Sequence, residues 1–245
     1  MLSVRQIATG GCVRFKEAIS VRAISEFDDI RSNVISQRDK LIAMRLLTPI
    51  AFCLTAALTG LAQQPAAPDV PVQPGLYAIF DTSMGQIVAR LYEDKAPNTV
   101  KNFVALARGT KATLDKKGAM TARRYYNGLT FHRVIKGFMI QTGDVNATGS
   151  SPCGIPNLKD EIDPVLNFKS PGVLAMGNTG SRNTAACQIF ITVANADYLT
   201  GMYTIFGQVV SGQEVADAIS KVPTGANDKP VTPVIVKTVT IERKQ

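Results

Sequence analysis

"GLTFHRVIKGFMIQTGD", residues 128–144, decides how this chain is read. It holds the only histidine of the 245 residues, His132, beside Arg133, and both stand among apolar side chains. The segment divides at Gly137 into two strand-like runs, "GLTFHRVI" and "GFMIQTGD". Side chains alternate between the two faces of a strand. This alternation sets Phe131 and Arg133 on one face and His132 on the other. An arginine on an apolar strand face costs free energy unless it is paired or working. Arg133, Phe138, Met139 and Gln141 fall within nine residues, one cation and one amide in an apolar setting. His132, on the opposite face, is expected to be a packed residue with a hydrogen-bonded ring.

Further strand-like runs flank this segment. "LYAIFDTS" and "GQIVARLYED" meet at a turn near Ser83–Gly85. "APNTVKNFVALARG" carries Val100, Phe103, Val104 and Ala107 at helical spacing and stops at Gly109. The polar stretch "TKATLDKKGAMTARR" reads as a surface loop. "GVLAMGN", "CQIFITVAN" and "YTIFGQVV" are strands, "GQEVADAIS" is a second helix, and "TPVIVKTVTIE" is a closing strand. On "CQIFI", Gln188 and Phe190 share a face. Many short strands with two separated helices do not have a βαβ rhythm. They predict a mainly β fold, an antiparallel barrel or sandwich with the helices at its open ends.

Several chemistries are excluded. A Ser/His/Asp triad needs a histidine facing the site, and His132 faces away and has no partner. A zinc site is unsupported, because there is no CxxC and no second histidine. "GNTGSRNTA" contains glycines but lacks the lysine and the strand–helix frame of a phosphate loop. No cofactor is called for. The formal charge is +8, but 8 of 27 Lys+Arg and 5 of 19 Asp+Glu lie before Gln63, leaving +5 on the rest. No basic patch interleaves with aromatics, so nucleic acid is not an expected partner.

The N-terminal third reads as processing sequence. From Met44, Arg45 supplies a positive start and Leu46–Leu58 an apolar run. Gly60-Leu61-Ala62 presents small residues at the two positions a signal peptidase reads. We expect a secretory signal peptide over 44–62, cut after Ala62, and a periplasmic or secreted product without stable membrane association. The alternative, an uncleaved anchor, is disfavoured because the run is short for a span of about 20 residues and contains threonines and a proline. A lipoprotein anchor fits less well, with bulky Phe52 before Cys53. Residues 1–43 are expected to be an upstream extension from an early start, outside the fold. A helix-like spacing of Ile19, Ala23, Phe27, Ile30 and Val34 argues the other way. Residues 63–75, with prolines at 65, 68, 71 and 74, read as an extended tether.

"YNGLTFHRVIKGFMIQTGD" resembles the signature segment of the cyclophilins, the peptidyl-prolyl cis–trans isomerases, through Tyr126, Phe131-His132-Arg133, Phe138, Gln141 and Gly143-Asp144. "DTSMGQIVARLYEDKAPNTVKNFVALA", "GVLAMGN", "QIFIT" and "YLTGMYTIFGQV" resemble the family in its order, so the likeness spans about residues 76–243. It implies a closed eight-stranded antiparallel barrel capped by two α-helices, and activity on proline-containing unfolded or partly folded polypeptides, by a protein expected to be a monomer. It further implies Arg133 and Gln141 as catalytic, with Gln141 orienting Arg133. Phe138, Met139, Phe190 and Leu199 would hold the proline ring, the Asn178 main chain the substrate backbone, and Gln188 would help. His132 has no implied chemical role. Tyr198 and Tyr203 stand where many eukaryotic members carry tryptophan and histidine. Both remain aromatic and keep the pocket usable, but without the indole donor tight cyclosporin binding is not implied. The likeness also brings the loops of Cys153 and Cys187 to one side of the groove, where they are either a disulfide or two buried thiols. The competing reading is a non-catalytic module that only holds proline-containing segments, which would be expected to lose its Arg133.

Overall fold

The computed structural model describes residues 73–245, so the expected signal peptide, the expected upstream extension and all but the end of the expected tether lie outside the described residues. The chain forms β1 (Gly75–Thr82), β2 (Gly85–Leu91), β3 (Ala112–Leu114), β4 (Met120–Ala122), β5 (Leu129–Thr130) and β6 (Arg133–Ile135). It continues through β7 (Met139–Thr142), β8 (Val173–Met176), β9 (Ile189–Thr192), β10 (Ile205–Ser211) and β11 (Ile235–Lys244). Helices α1 (Pro97–Arg108) and α2 (Gln213–Ser220) interrupt them. All strands but β3 and β4 join one antiparallel sheet in the order β5-β11-β1-β2-β10-β8-β9-β7-β6. Among the described residues the architecture is thus mainly β with two α-helices.

Two expectations change in detail. The sheet has nine strands instead of eight, and no ladder pairs its end strands β5 and β6. Those ends are consecutive in the chain, separated only by Phe131 and His132, so the sheet must curl to bring them together. The expected surface loop after α1 contains the two-stranded β3–β4 ribbon. Leu114 of that ribbon donates from its backbone to Cys153 O at 3.0 Å.

Strand alternation explains the interior. On β7, β8 and β9 the residues Ile140, Leu174, Met176, Ile189 and Ile191 face the main core, with Phe80, Phe103, Tyr126 and Phe206. Their neighbours Met139, Val173, Ala175 and Phe190 face a second, smaller cluster with Phe168, Leu199 and Ile205. Strands β8 and β9 are buried on every residue because both faces are covered. Helix α1 buries Val100, Phe103, Leu106 and Ala107. It begins at Ala96 without a side-chain cap of its own. The Glu161 carboxylate, 62 residues beyond Thr99, accepts from the backbone N–H of Asn98 at 3.0 Å and of Thr99 at 2.8 Å. Burial opposes that charge, but hydrogen bonds from Thr99 and Asn98 outweigh it and hold the carboxyl below its usual range. At the other end Gly109 takes φ 75°, and a Cβ there would come within 2.6 Å of the Arg123 backbone.

The alternation fails where it matters for the site. Phe131 and Val134 both enter the main core. The two residues between them cannot alternate, and the chain leaves strand conformation at Phe131 and His132. His132 and Arg133 therefore both line one cavity outside the sheet, which corrects the expectation that they face opposite ways. The His132 ring is buried, 4% exposed, and neither ring nitrogen has a hydrogen-bond partner, which corrects the expected hydrogen-bonded ring. The Gln188 side chain lies close enough to raise the ring's pKa, but its amide bonds Gln141 and Gly149.

Cys153 and Cys187 are joined as a disulfide, with Cα atoms 6.4 Å apart. The two cysteines are separated by 34 residues, and closing a loop of that size stabilises the fold by about 3–4 kcal/mol through chain entropy. The Cys153→Ala/Cys187→Ala double variant is expected to lower Tm by several degrees in calorimetry, and an unchanged Tm would refute that stabilisation. Burial lowers the His132 pKa more than Asp144 and Gln188 raise it, with Arg133 and Lys229 lowering it further. The folded protein then resists a proton that the unfolded chain takes up near pH 6.5. Stability conferred by neutral His132 is present above that pH and declines as pH falls towards the folded-state pKa. His132→Gln is expected to flatten this part of the urea-midpoint profile between about pH 7.5 and 5.5, a window centred on the unfolded pKa, and an identical slope in both proteins would count against it.

Candidate active site

The second cluster forms the floor of a cavity of about 320 Å³ on the outer side of β6, β7 and β9. The turn Ile135–Phe138, closed by Phe138 N–H donating to Ile135 O at 3.1 Å, brings Phe138 to the floor just before Met139 enters β7. Phe190 projects from β9 directly opposite Gln141 in the ladder. Its ring stacks on Phe168 at 5.9 Å and meets the edge of Tyr203 at 5.4 Å. Leu199 comes from the 3-10 turn Asp197–Leu199. Arg133, Gln141, Phe138, Met139, Asn178, Phe190, Leu199 and Tyr203 all line this one cavity.

Two of the expected residues stand apart. Tyr198 is 66% exposed and lies outside the lining, its ring 5.8 Å from that of Phe138. Gln188 lies on the far side of Gln141, in the lining of an adjoining cavity of about 520 Å³. The two glutamines divide the cavities: Gln141 Nε2 donates to Gln188 Oε1 at 2.7 Å, and Gln188 Nε2 donates to Gly149 O at 3.0 Å. Gln141 is Arg133's partner in the β6–β7 register, but its amide bonds Gln188 and not Arg133. The orienting role expected of Gln141 towards Arg133 is therefore absent from its hydrogen bonds.

The wall is anchored from behind. Tyr126 OH donates to Cys187 O at 3.0 Å, immediately before Gln188. Gly143, with φ 92°, passes so close to Cys187 O that a Cβ would overlap it. The Asn178 side chain is committed to its surrounding loops, donating to Met202 O at 3.2 Å and accepting from Gly180 N–H at 2.9 Å.

Arg133 is the cation of this lining. Its side chain is 44% exposed and pairs with Asp228, Nε to Oδ2 at 3.3 Å. Asp228 lies 95 residues away in the 3-10 turn Ala226–Asp228, and nothing in the sequence singled it out. Thr179, Gly149 and Gly177 also line the cavity without having been expected. Among the described residues no group of three or more His, Cys, Asp or Glu side chains could hold a metal. The arrangement is an apolar slot with one guanidinium on its wall. It can grip a small apolar ring and aim hydrogen-bond donors beside it, but it presents no nucleophile paired with a base.

Comparison with known proteins agrees with this geometry. The model of the family "Cyclophilin type peptidyl-prolyl cis-trans isomerase/CLD" matches residues 77–241. Peptidyl-prolyl cis-trans isomerase A of Mycobacterium tuberculosis is 44% identical over 168 residues, covering 67% of this chain and 91% of the relative. Peptidyl-prolyl cis-trans isomerase B of Streptomyces anulatus is 42% identical over 173 residues, covering 69% and 98%. The crystal structure of a Cryptosporidium parvum cyclophilin-type isomerase superposes with a TM-score of 0.59 at 30% identity, covering 69% of this chain and 98% of that one. The same Cryptosporidium protein has been crystallised in the presence of the dipeptide Ala-Pro. With the family model spanning the curled sheet and the cavity on its outer face, this chain belongs to the cyclophilin family of peptidyl-prolyl cis–trans isomerases.

Proposed function

We propose that the enzyme turns X–Pro bonds in exported polypeptides, with Arg133 stabilising the twisted imide. Such bonds turn slowly because the imide has partial double-bond character, with a barrier of about 20 kcal/mol. Rotation breaks no covalent bond and needs no proton shuttle. It requires the imide nitrogen to leave conjugation with its carbonyl and become pyramidal. A donor aimed at that nitrogen stabilises the twisted state and not the planar ends, which is the condition for catalysis. The observation that carries this reading is the placement of Arg133 on the wall of a slot floored by Phe138, Met139, Phe190 and Leu199. A proline ring in that slot puts its nitrogen at the wall. An acceleration of about 10⁵ needs roughly 7 kcal/mol. One charge-assisted hydrogen bond in a water-poor slot, together with shape selection, is of the right order.

Arg133→Ala is expected to lower kcat/KM in a proline-limited refolding assay by about 10²–10³, the usual cost of one transition-state donor. Arg133→Lys, a point charge without the planar fork, is expected to recover only part of it. Both should leave Tm within a degree or so, since the side chain is half exposed. Full activity in Arg133→Ala would remove Arg133 from the mechanism.

The location is the second element of the proposal. The layout of residues 44–62 and the disulfide of the domain both suit a protein cut after Ala62 and used in an oxidising space outside the cytoplasm. Mass spectrometry of the mature protein from its native host is expected to give an N-terminus at Gln63. Peptides from residues 1–62 in the mature material would refute export with cleavage.

A further inference from the structure

We infer that Asp228 is a positioning residue that sets the guanidinium of Arg133 before substrate arrives, an inference that rests on the proposed role of Arg133. The Nε–Oδ2 contact of 3.3 Å is the one side-chain hydrogen bond to a protein group that Arg133 makes among the described residues. Gln141, opposite Arg133 in the β6–β7 register, is taken by Gln188, so no other polar side chain fixes the plane of the guanidinium. Binding at Nε leaves both terminal amino groups for the imide of a substrate. An arginine stem has many rotamers, and holding it in one geometry before the reaction removes an ordering cost from the rate-limiting step.

The turn that carries Asp228 is shaped for this contact. Asn227 and Asp228 both adopt left-handed backbone, with φ 59° and 57°. That conformation is rare outside glycine, and Asn and Asp are the residues that tolerate it best. Two such residues in succession persist only where the surroundings over-determine them. Here the flanks are tied by Gly225 N–H to Lys229 O at 2.8 Å, Lys229 N–H to Ala226 O at 3.3 Å and Val231 N–H to Pro223 O at 2.9 Å. Lys229 Nζ also donates to Ala147 O at 3.4 Å, pinning the turn to the loop after β7. The strained pair thus delivers one carboxylate onto the back of Arg133.

The test compares wild type, Asp228→Ala, Asp228→Asn, Arg133→Ala and the Asp228→Ala/Arg133→Ala double variant on an Ala-Pro peptide. The Arg133–Asp228 pair is half exposed, so Asp228→Ala is expected to lower kcat by only about three- to fivefold. KM should stay within about twofold, because the apolar floor is untouched. Asp228→Asn keeps an acceptor and the left-handed backbone, and is expected to fall between the two. In the Arg133→Ala background the loss of Asp228 should have no further effect on kcat. The NMR resonance of the Arg133 Nε–H should exchange with solvent more slowly in wild type than in Asp228→Ala. An equal kcat loss in both backgrounds, or wild-type kcat and an unchanged Nε–H resonance in Asp228→Ala, overturns the positioning role. These outcomes differ from failure of the underlying mechanism, which would show as full activity in Arg133→Ala itself.

Discussion

The site depends on a break in alternation. Phe131 and Val134 both belong inside the main core, so the chain between them must spend two residues on the outer side. Those residues are His132 and Arg133. Had β5 run on into β6 with unbroken period two, Phe131 and Arg133 would share a face, and the arginine would be buried among the aromatics of the core. Burying an unpaired cation there is prohibitive. The slip resolves the conflict: it keeps Phe131 in the core and moves Arg133 to a half-exposed wall. It also joins the end strands of the sheet, which the ladder does not pair.

Much of this was legible in the sequence, and the reason is periodicity. The apolar runs of β8 and β9 follow from covering both faces, and the helix over residues 97–108 follows from Val100, Phe103 and Ala107. The signature segment brought Arg133, Phe138, Met139 and Gln141 together, and the structure places all four on one cavity. What the sequence hid was whatever departs from the period or depends on distant partners. The slip at Phe131–His132 cannot be read from alternation because it is a failure of alternation. The β3–β4 ribbon lay in a lysine-rich stretch, and its apolar face of Ala112, Leu114, Met120 and Ala122 exists only once the two strands pair. It is held by Cys153 O and by the close approach of Leu114 and Met120 to Gly154. The engagement of Gln141 by Gln188, 47 residues on, and of Arg133 by Asp228, 95 residues on, is set by tertiary placement alone.

His132 illustrates how proximity and chemistry separate. It lines the same cavity as Arg133, yet burial lowers its pKa and so disfavours its charged form. Neither ring nitrogen reaches a protein partner. A neutral, enclosed imidazole adds shape to the cavity and leaves the guanidinium as the positive group there. Rotation about the imide needs no proton shuttle, so the proposed chemistry does not depend on tuning a proton equilibrium.

The division between floor and rim has a consequence for how rate and affinity can be adjusted. Phe138, Met139, Phe190 and Leu199 are apolar and, in the proposed mechanism, touch a ring that is the same in the cis, trans and twisted states. Their contacts with the ring are chiefly uniform binding, which sets affinity more than it lowers the barrier. Selection for the twisted state has to come from groups that meet the imide itself, and those lie on the polar rim. The floor is fixed by stacking on Phe168 and by strands buried on both faces. The Arg133–Asp228 part of the rim rests on one half-exposed ion pair and a strained turn. Met139 and Phe190 of the floor therefore cannot change without disturbing the sheet, whereas Arg133 can be tuned through the turn Ala226–Asp228, which carries no part of either core cluster.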